Sequence, residues 1–192
     1  MARPRTYSDE DLLRAAHETI LELGDRATLA DVGKRAGVSP AALNKRFGTK
    51  RELLVQLSRR WVDSVDAQLE QAETSTSDVI ERIVAVATCG LGELDRPEQV
   101  GAQLSALADD LRDAQLRELL AQGWVKTRLR LEGLLAAAQK DLPRAPHPAQ
   151  AARILFSLVQ GESLYWSLDP QGSLTEEVRG DVRSVLAGWA GH

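Results

Sequence analysis

The chain has 192 residues, 43% of them hydrophobic, with 24 lysines and arginines against 28 aspartates and glutamates. That supports a substantial core in one or two small domains and leaves no stretch long and apolar enough to read as a membrane helix. The first residues, with Arg3, Pro4 and Arg5 followed by Asp9, Glu10 and Asp11, lack a signal-peptide core, so the expected location is cytoplasmic. Cys89 is the single cysteine and permits no internal disulfide. His17, His147 and His192 lie far apart with no metal-ligand spacing, and neither a metal nor a cofactor is expected.

Ser8 or Asp9 caps a first helix with a buried stripe of Leu12, Leu13, Ala16, Ile20 and Leu23, ended by Gly24. Two short helices follow at about 28–36 and 39–47, the first capped by Thr28. Thr49 caps a fourth helix to about Ala72, and the run Thr74 to Ser77 breaks the chain. Val79 to Leu94 reads as one helix. Another starts at Pro97 and runs to about Leu111, and a long amphipathic one spans Asp113 to Lys140. Pro143, Pro146 and Pro148 mark a linker. A helix from about Pro148 to Leu168 precedes a turn at Asp169–Gly172, and Ser173 or Thr175 caps a last helix to about Trp189. No strand pattern or repeat is present. The expected fold is all-α, about nine helices, with residues 1–54 and 55–192 as separate domains.

Residues 28–54 carry the strongest functional signal. Leu29, Val32 and Ala36 recur at helical spacing, and Gly37 stops the helix because it adopts left-handed backbone without a Cβ clash. Val38 sits in the turn, Ser39 is an N-cap, Pro40 suits the first helical position, and Leu43 and Phe47 form the buried face. This is a helix-turn-helix, whose second helix can lie in a DNA major groove. Charge agrees: residues 1–60 hold 12 basic and 8 acidic residues, a net of +4, whereas residues 61–192 hold 12 and 20, a net of −8.

Through Thr28-Leu29, Val32-Gly33, Ala36-Gly37-Val38-Ser39, Leu43, Phe47, Lys50, Glu52 and Leu53-Leu54, the chain resembles TetR/AcrR-family transcriptional regulators. The resemblance is specific over residues 8–55 and extends more weakly, by helix order, over the rest. The segment from Leu155 to Pro170, with its Leu-Asp-Pro ending, is similar to the ligand-binding half of small AcrR-like members. Two positions depart from the family. Asn44 stands where a phosphate-touching tyrosine is common, so Asn44 is open to phosphate or to an adenine edge. Gly33 replaces a usual alanine and is read as tolerated.

Geometry and resemblance agree on DNA roles. Ala41, Ala42, Asn44 and Lys45, near the exposed start of the second helix, are candidates for base edges, and Pro40 or an alanine methyl for a thymine methyl. Ser39 heads that helix. Thr28 and Lys50, at helix N-termini, are candidates for phosphate, and Arg3 and Arg5 for an adjacent minor groove or the backbone. Arg35 and Arg46 read as solvated surface.

A single module of this size binds modest DNA area, so specific binding calls for a homodimer on two half-sites. Leu155, Leu158 and Val159 on one of the last two helices, with Val178, Val182, Val185, Leu186 and Trp189 on the other, are the candidate interface of a four-helix bundle. The resemblance also implies an effector pocket among the middle helices, for which Trp61, Cys89, Gln103, Leu107, Trp124, Arg128, Phe156, Gln160 and Trp166 are candidates. Such lining suits a small, largely apolar molecule. The leading reading is a ligand-responsive, operator-binding homodimer, a repressor by family default. An enzyme is disfavoured, since no phosphate loop, metal cluster or nucleophile elbow is present. The alternative is a helical small-molecule-binding protein with a vestigial DNA module.

Overall fold

Side-chain caps start each of the first four helices. In the computed structural model, which describes residues 7–94 and 96–191, Ser8 accepts a hydrogen bond from the Asp11 N–H while the Asp11 carboxylate accepts from the Ser8 N–H. Thr28 with Asp31 and Thr49 with Glu52 repeat that reciprocal box, and Ser39 accepts from the Ala42 N–H. Each box satisfies two donors that a helix start otherwise leaves open. Among the described residues these starts and their successors give nine helices and no strand. They are α1 Asp9–Leu23, α2 Leu29–Ala36, α3 Pro40–Phe47, α4 Lys50–Thr74, α5 Val79–Ala87, α6 Pro97–Arg112, α7 Ala114–Ala137, α8 Pro148–Leu168 and α9 Leu174–Ala190.

The expected order holds, with one difference in the middle. The helix starting at Val79 ends at Ala87, not Leu94. Thr88 turns its hydroxyl back to the Val84 carbonyl, Gly90 takes φ of +95°, and a short 3₁₀ turn, Leu91–Glu93, follows. Leu91 and Leu94 then bury themselves from a different direction than a continuing helix would allow.

The apolar residues divide into two main cores. Leu12, Leu13, Ala16, Val32, Leu43, Phe47 and Leu53 close the small N-terminal module. The larger core collects Val65 and Leu69 of α4, Ile83 and Val84 of α5, Leu131 and Leu135 of α7, Leu155 and Val159 of α8, and Val178, Val182 and Leu186 of α9. Thus α4 belongs to both, and the expected domain boundary at 54/55 falls inside that continuous helix. Between them a smaller cluster packs Val55 and Val62 of α4 on Leu116 and Leu119 of α7. There Gly123 lets α7 approach closely, because the Trp61 ring occupies the space a Cβ would need.

Salt bridges tie α7 along α4. Arg51 grips Asp113 with two nitrogens at 2.6 and 3.0 Å, Lys126 reaches Asp66 at 2.8 Å, and Arg130 reaches Glu73 at 2.7 Å. The N-terminal module meets the rest through α1 and α6: the Asp25 N–H donates to Ser105, and His17 pairs with Glu93 at 2.8 Å. No described helix is long and apolar enough to cross a membrane.

Candidate nucleic-acid interface

Gly37 sets the angle between α2 and α3. It caps α2 at φ +71°, ψ +30°, and the Val38 N–H returns to the Gly33 carbonyl at 2.9 Å. The returning chain passes directly over Gly33, where a Cβ would lie 2.7 Å from the Val38 carbonyl oxygen. An alanine at 33 would therefore need the Val38 carbonyl to shift, and the glycine allows the close approach seen here. Leu43, fully buried, and Phe47 then hold α3 against α1 and α2.

That packing turns the opposite arc of α3 outward. Ser39, Pro40, Ala41, Ala42, Asn44 and Lys45 are all exposed. Lys45 has no hydrogen-bond or ion-pair partner among the described residues, so its charge is free to meet a phosphate or base. Thr28 is exposed at the head of α2, but its hydroxyl is engaged with Asp31, and that hydrogen bond holds the Asp31 carboxyl below its usual range. Lys50 is half-buried and donates to the Asp25 carbonyl at 2.5 Å, so a phosphate contact would have to replace that bond. Arg3 and Arg5 lie outside the described residues.

The two arginines read as solvated surface are bound within the module. Arg35 pairs with Glu18 and Glu22 and donates to Thr19. Arg46 pairs with Asp9 and donates to the Tyr7 carbonyl at 2.7 Å. Their spacing in the sequence carried no sign of these partners, which come from α1 and from Tyr7 just before it.

A family model for bacterial regulatory proteins of the tetR family matches residues 12–57, which span this whole arrangement. The transcriptional regulator BetI 1 of Chromohalobacter salexigens is 30% identical over 175 residues, 88% of this chain and 83% of the relative. The chain belongs to the tetR family. Its fold is shared by solved structures along nearly their whole length. A regulator from Saccharomonospora viridis in complex with choline gives a TM-score of 0.71 at 17% identity, covering 93% of this chain and 97% of that one. FadR from Bacillus subtilis in complex with stearoyl-CoA gives 0.68 at 18%, with the same coverage. This tetR-family chain is a DNA-binding transcriptional regulator and not an enzyme.

The residues expected around an effector are scattered in depth. Trp124 and Phe156 meet edge to face, with ring centroids 5.3 Å apart and planes at 63°. Leu107 and Trp61 are half-buried, whereas Gln103, Arg128 and Gln160 are exposed. Trp166 is in the core, and its indole N–H has no partner among the described residues. Cys89 is half-buried, and burial pushes its thiol above the ordinary value, the reverse of a reactive sensor cysteine.

Sequence reasoning missed a feature of α6. Its residues Ala102 and Ser105 face Gly24 and Asp25. Val100, Leu104, Leu107 and Leu111 form the opposite stripe, of which Val100 packs in the bundle core. Val100 is buried, yet Leu104 and Leu111 are 38% and 46% exposed. The apolar stripe of α6 thus begins in the core at Val100 and continues at partly exposed positions.

The candidate dimer residues divide likewise. Leu155, Val159, Val178, Val182 and Leu186 are buried in the core of the single chain and offer a partner little surface of their own. Leu158, Val185 and Trp189 are half-buried at its edge. The outward arc of α8 instead carries Ile154, Tyr165 and Leu168, the last two 66% and 78% exposed. An amphipathic stripe announces burial but not which neighbour provides it.

Proposed function

We propose that this tetR-family chain is a ligand-responsive repressor that binds a palindromic operator as a homodimer and is released by a small, largely apolar effector. Residues 1–54 are read as the DNA-binding domain and residues 55–192 as the ligand-binding and dimerisation domain. The observation that carries the reading is the exposed arc of α3, headed by Ser39 and Pro40, with Lys45 free of partners on a capped, tightly packed module. Ala41, Ala42, Asn44 and Lys45 would take base edges or nearby phosphates, and Thr28, Lys50, Arg3 and Arg5 the backbone or minor groove.

The proposed effector site is built from the partly exposed stripe of α6, Leu104, Leu107 and Leu111, and the Trp124–Phe156 pair. That this fold accommodates ligands as unlike as choline and stearoyl-CoA in other proteins supports an effector here without naming it. To move the protein from 99:1 to 1:99 in favour of the released state, an effector must prefer that state by about 5.5 kcal/mol. For dimerisation, the outward arc of α8 at Ile154, Leu158, Tyr165 and Leu168 supplies apolar surface that a second copy would cover.

The test is fluorescence anisotropy with duplex DNA flanking the chain's own gene, over a salt series, beside a scrambled duplex and a Lys45→Ala variant. Saturable binding of two protomers per site, a steep salt slope and weaker discrimination in the variant support the reading. Equal weak binding to every duplex, unchanged by the variant, sinks it in favour of a helical binding protein with a vestigial DNA module. Repression is checked with a reporter gene behind the bound fragment; raised expression would mark an activator.

A further inference from the structure

We infer that Ser105 of α6 is a positioning residue for DNA binding: through the Gly24–Asp25 turn it holds Lys50 away from the phosphate backbone. This rests on the reading of Lys50 as a phosphate contact. The contact then becomes adjustable from the bundle, by withdrawing one charge and leaving the recognition helix in place. Each backbone polar group of Gly24 and Asp25 has a partner, as a tight turn requires. Gly24 donates to the Ile20 carbonyl and accepts from the Ala27 N–H at 3.2 Å. The Asp25 N–H donates to the Ser105 hydroxyl at 3.2 Å, and the Asp25 carbonyl accepts from the Lys50 ammonium at 2.5 Å. One residue is thus bonded to α6 on one side and to the first residue of α4 on the other.

Ser105 is itself oriented, since its hydroxyl donates to the Ala102 carbonyl at 2.9 Å and so turns a lone pair to Asp25. The approach is close. Gly24 is buried at φ +59° and ψ −134°, and a Cβ there would lie 2.6 Å from the Ala102 carbonyl oxygen. With backbone packed on backbone, a shift of α6 is passed to Asp25. Lys50 differs from a surface lysine in what it holds. It is half-buried and has no carboxylate partner among the described residues, so a full charge rests on one neutral carbonyl. A phosphate oxygen, itself charged, is the better acceptor. One is expected close by: Asp25 is three residues from Thr28, at most about 10 Å along the chain, and Thr28 heads α2. How firmly Asp25 is presented therefore decides where Lys50 goes. The same α6 carries the proposed effector stripe at Leu104, Leu107 and Leu111. An effector that presses α6 onto the turn keeps Lys50 withdrawn, which is the direction of the proposed release.

The test compares Ser105→Val with Ser105→Thr, which share a branched frame and differ in whether a hydroxyl remains to accept from Asp25. Each is made alone and together with Lys50→Met, circular dichroism verifies each fold, and anisotropy on the preferred duplex is run over a salt series. The valine chain should bind about fivefold more tightly than the threonine chain, with a salt slope steeper by about 1, for one further phosphate neutralised. With Lys50→Met the two should be indistinguishable. Equal affinities and slopes, tighter binding by the threonine chain, or a difference that persists without Lys50 would each overturn the inference while leaving operator binding intact. Should the valine chain not fold, amide exchange of Asp25 in the parent chain decides. Coupling is reciprocal, so duplex binding that draws Lys50 away should quicken that exchange by a similar factor; unchanged or slower exchange overturns the inference. If the parent chain prefers no duplex at all, the regulatory reading fails, and this inference falls with it.

Discussion

The N-terminal module and the helical bundle hold their shapes by different means. In the module, reciprocal caps start α1, α2 and α4, Ser39 caps α3, and a glycine lies directly under the turn between α2 and α3. In the bundle, α6, α8 and α9 begin without a side-chain cap bond, and glycines such as Gly133 have open space around them. A module that must match the rigid spacing of DNA is specified residue by residue. The bundle, proposed above to take a ligand and a second copy, is specified more by its apolar stripes.

The same substitution in the two regions should therefore act with opposite sign. Gly33→Ala forces a Cβ toward the Val38 carbonyl and should cost about 2 kcal/mol, read as a lowered chemical-denaturation midpoint together with weakened DNA binding. Gly133→Ala meets nothing and should gain up to about 1 kcal/mol from helix propensity. If both destabilise alike, the contrast is wrong. A milder version uses caps: Thr28→Ala should cost ~1 kcal/mol and Ser173→Ala almost nothing, measured by thermal unfolding.

Ionisable groups sharpen the comparison at the junction. Asp110, near the end of α6, is half-buried beside Asp109 and Asp113, and burial first, then these like charges, raise its carboxyl to about 6. Its neighbouring cations are bound elsewhere: Arg112 to Asp109, Arg117 to the Leu111 carbonyl and Arg51 to Asp113. A carboxyl raised by folding costs stability when ionised, so the penalty is absent below about pH 4 and grows as pH rises through about 6. Asp110→Asn should then gain on the order of 1 kcal/mol at pH 7.5, after discounting for solvent screening, and nothing near pH 4.

The smallest effect belongs to His17, whose imidazole is raised chiefly by its hydrogen bond to Glu93. That pair contributes fully below the unfolded histidine value of ~6.5 and is lost as pH rises through the raised folded value. The stability difference between the parent and His17→Gln should be a few tenths of a kcal/mol at pH 5.5 and vanish by about pH 9, since both partners are largely solvated.

What was legible in the sequence follows the same division. Ser8, Thr28, Ser39, Thr49 and Gly37 act within three or four residues of themselves, so their roles could be read from order alone. The end of α5 could not: Leu91 and Leu94 fit a helical stripe, and only packing against distant helices makes the chain leave the helix at Ala87. Leu155 and Val182 announced burial correctly but not by whom, because the partner is chosen in three dimensions. The internal employment of Arg46 was hidden for the same reason.

Helix α4 runs unbroken from the helix-turn-helix into the bundle over 25 residues, about 37 Å at 1.5 Å per residue. Salt bridges from α7 hold it at both ends and midway. A rod of that length turns angle into distance: pivoting by about 5° at its far end carries its near end sideways by ~3 Å, a hydrogen bond's length. Under the proposed release, a ligand would not need to deform the reading head; tilting the handle would move it far enough.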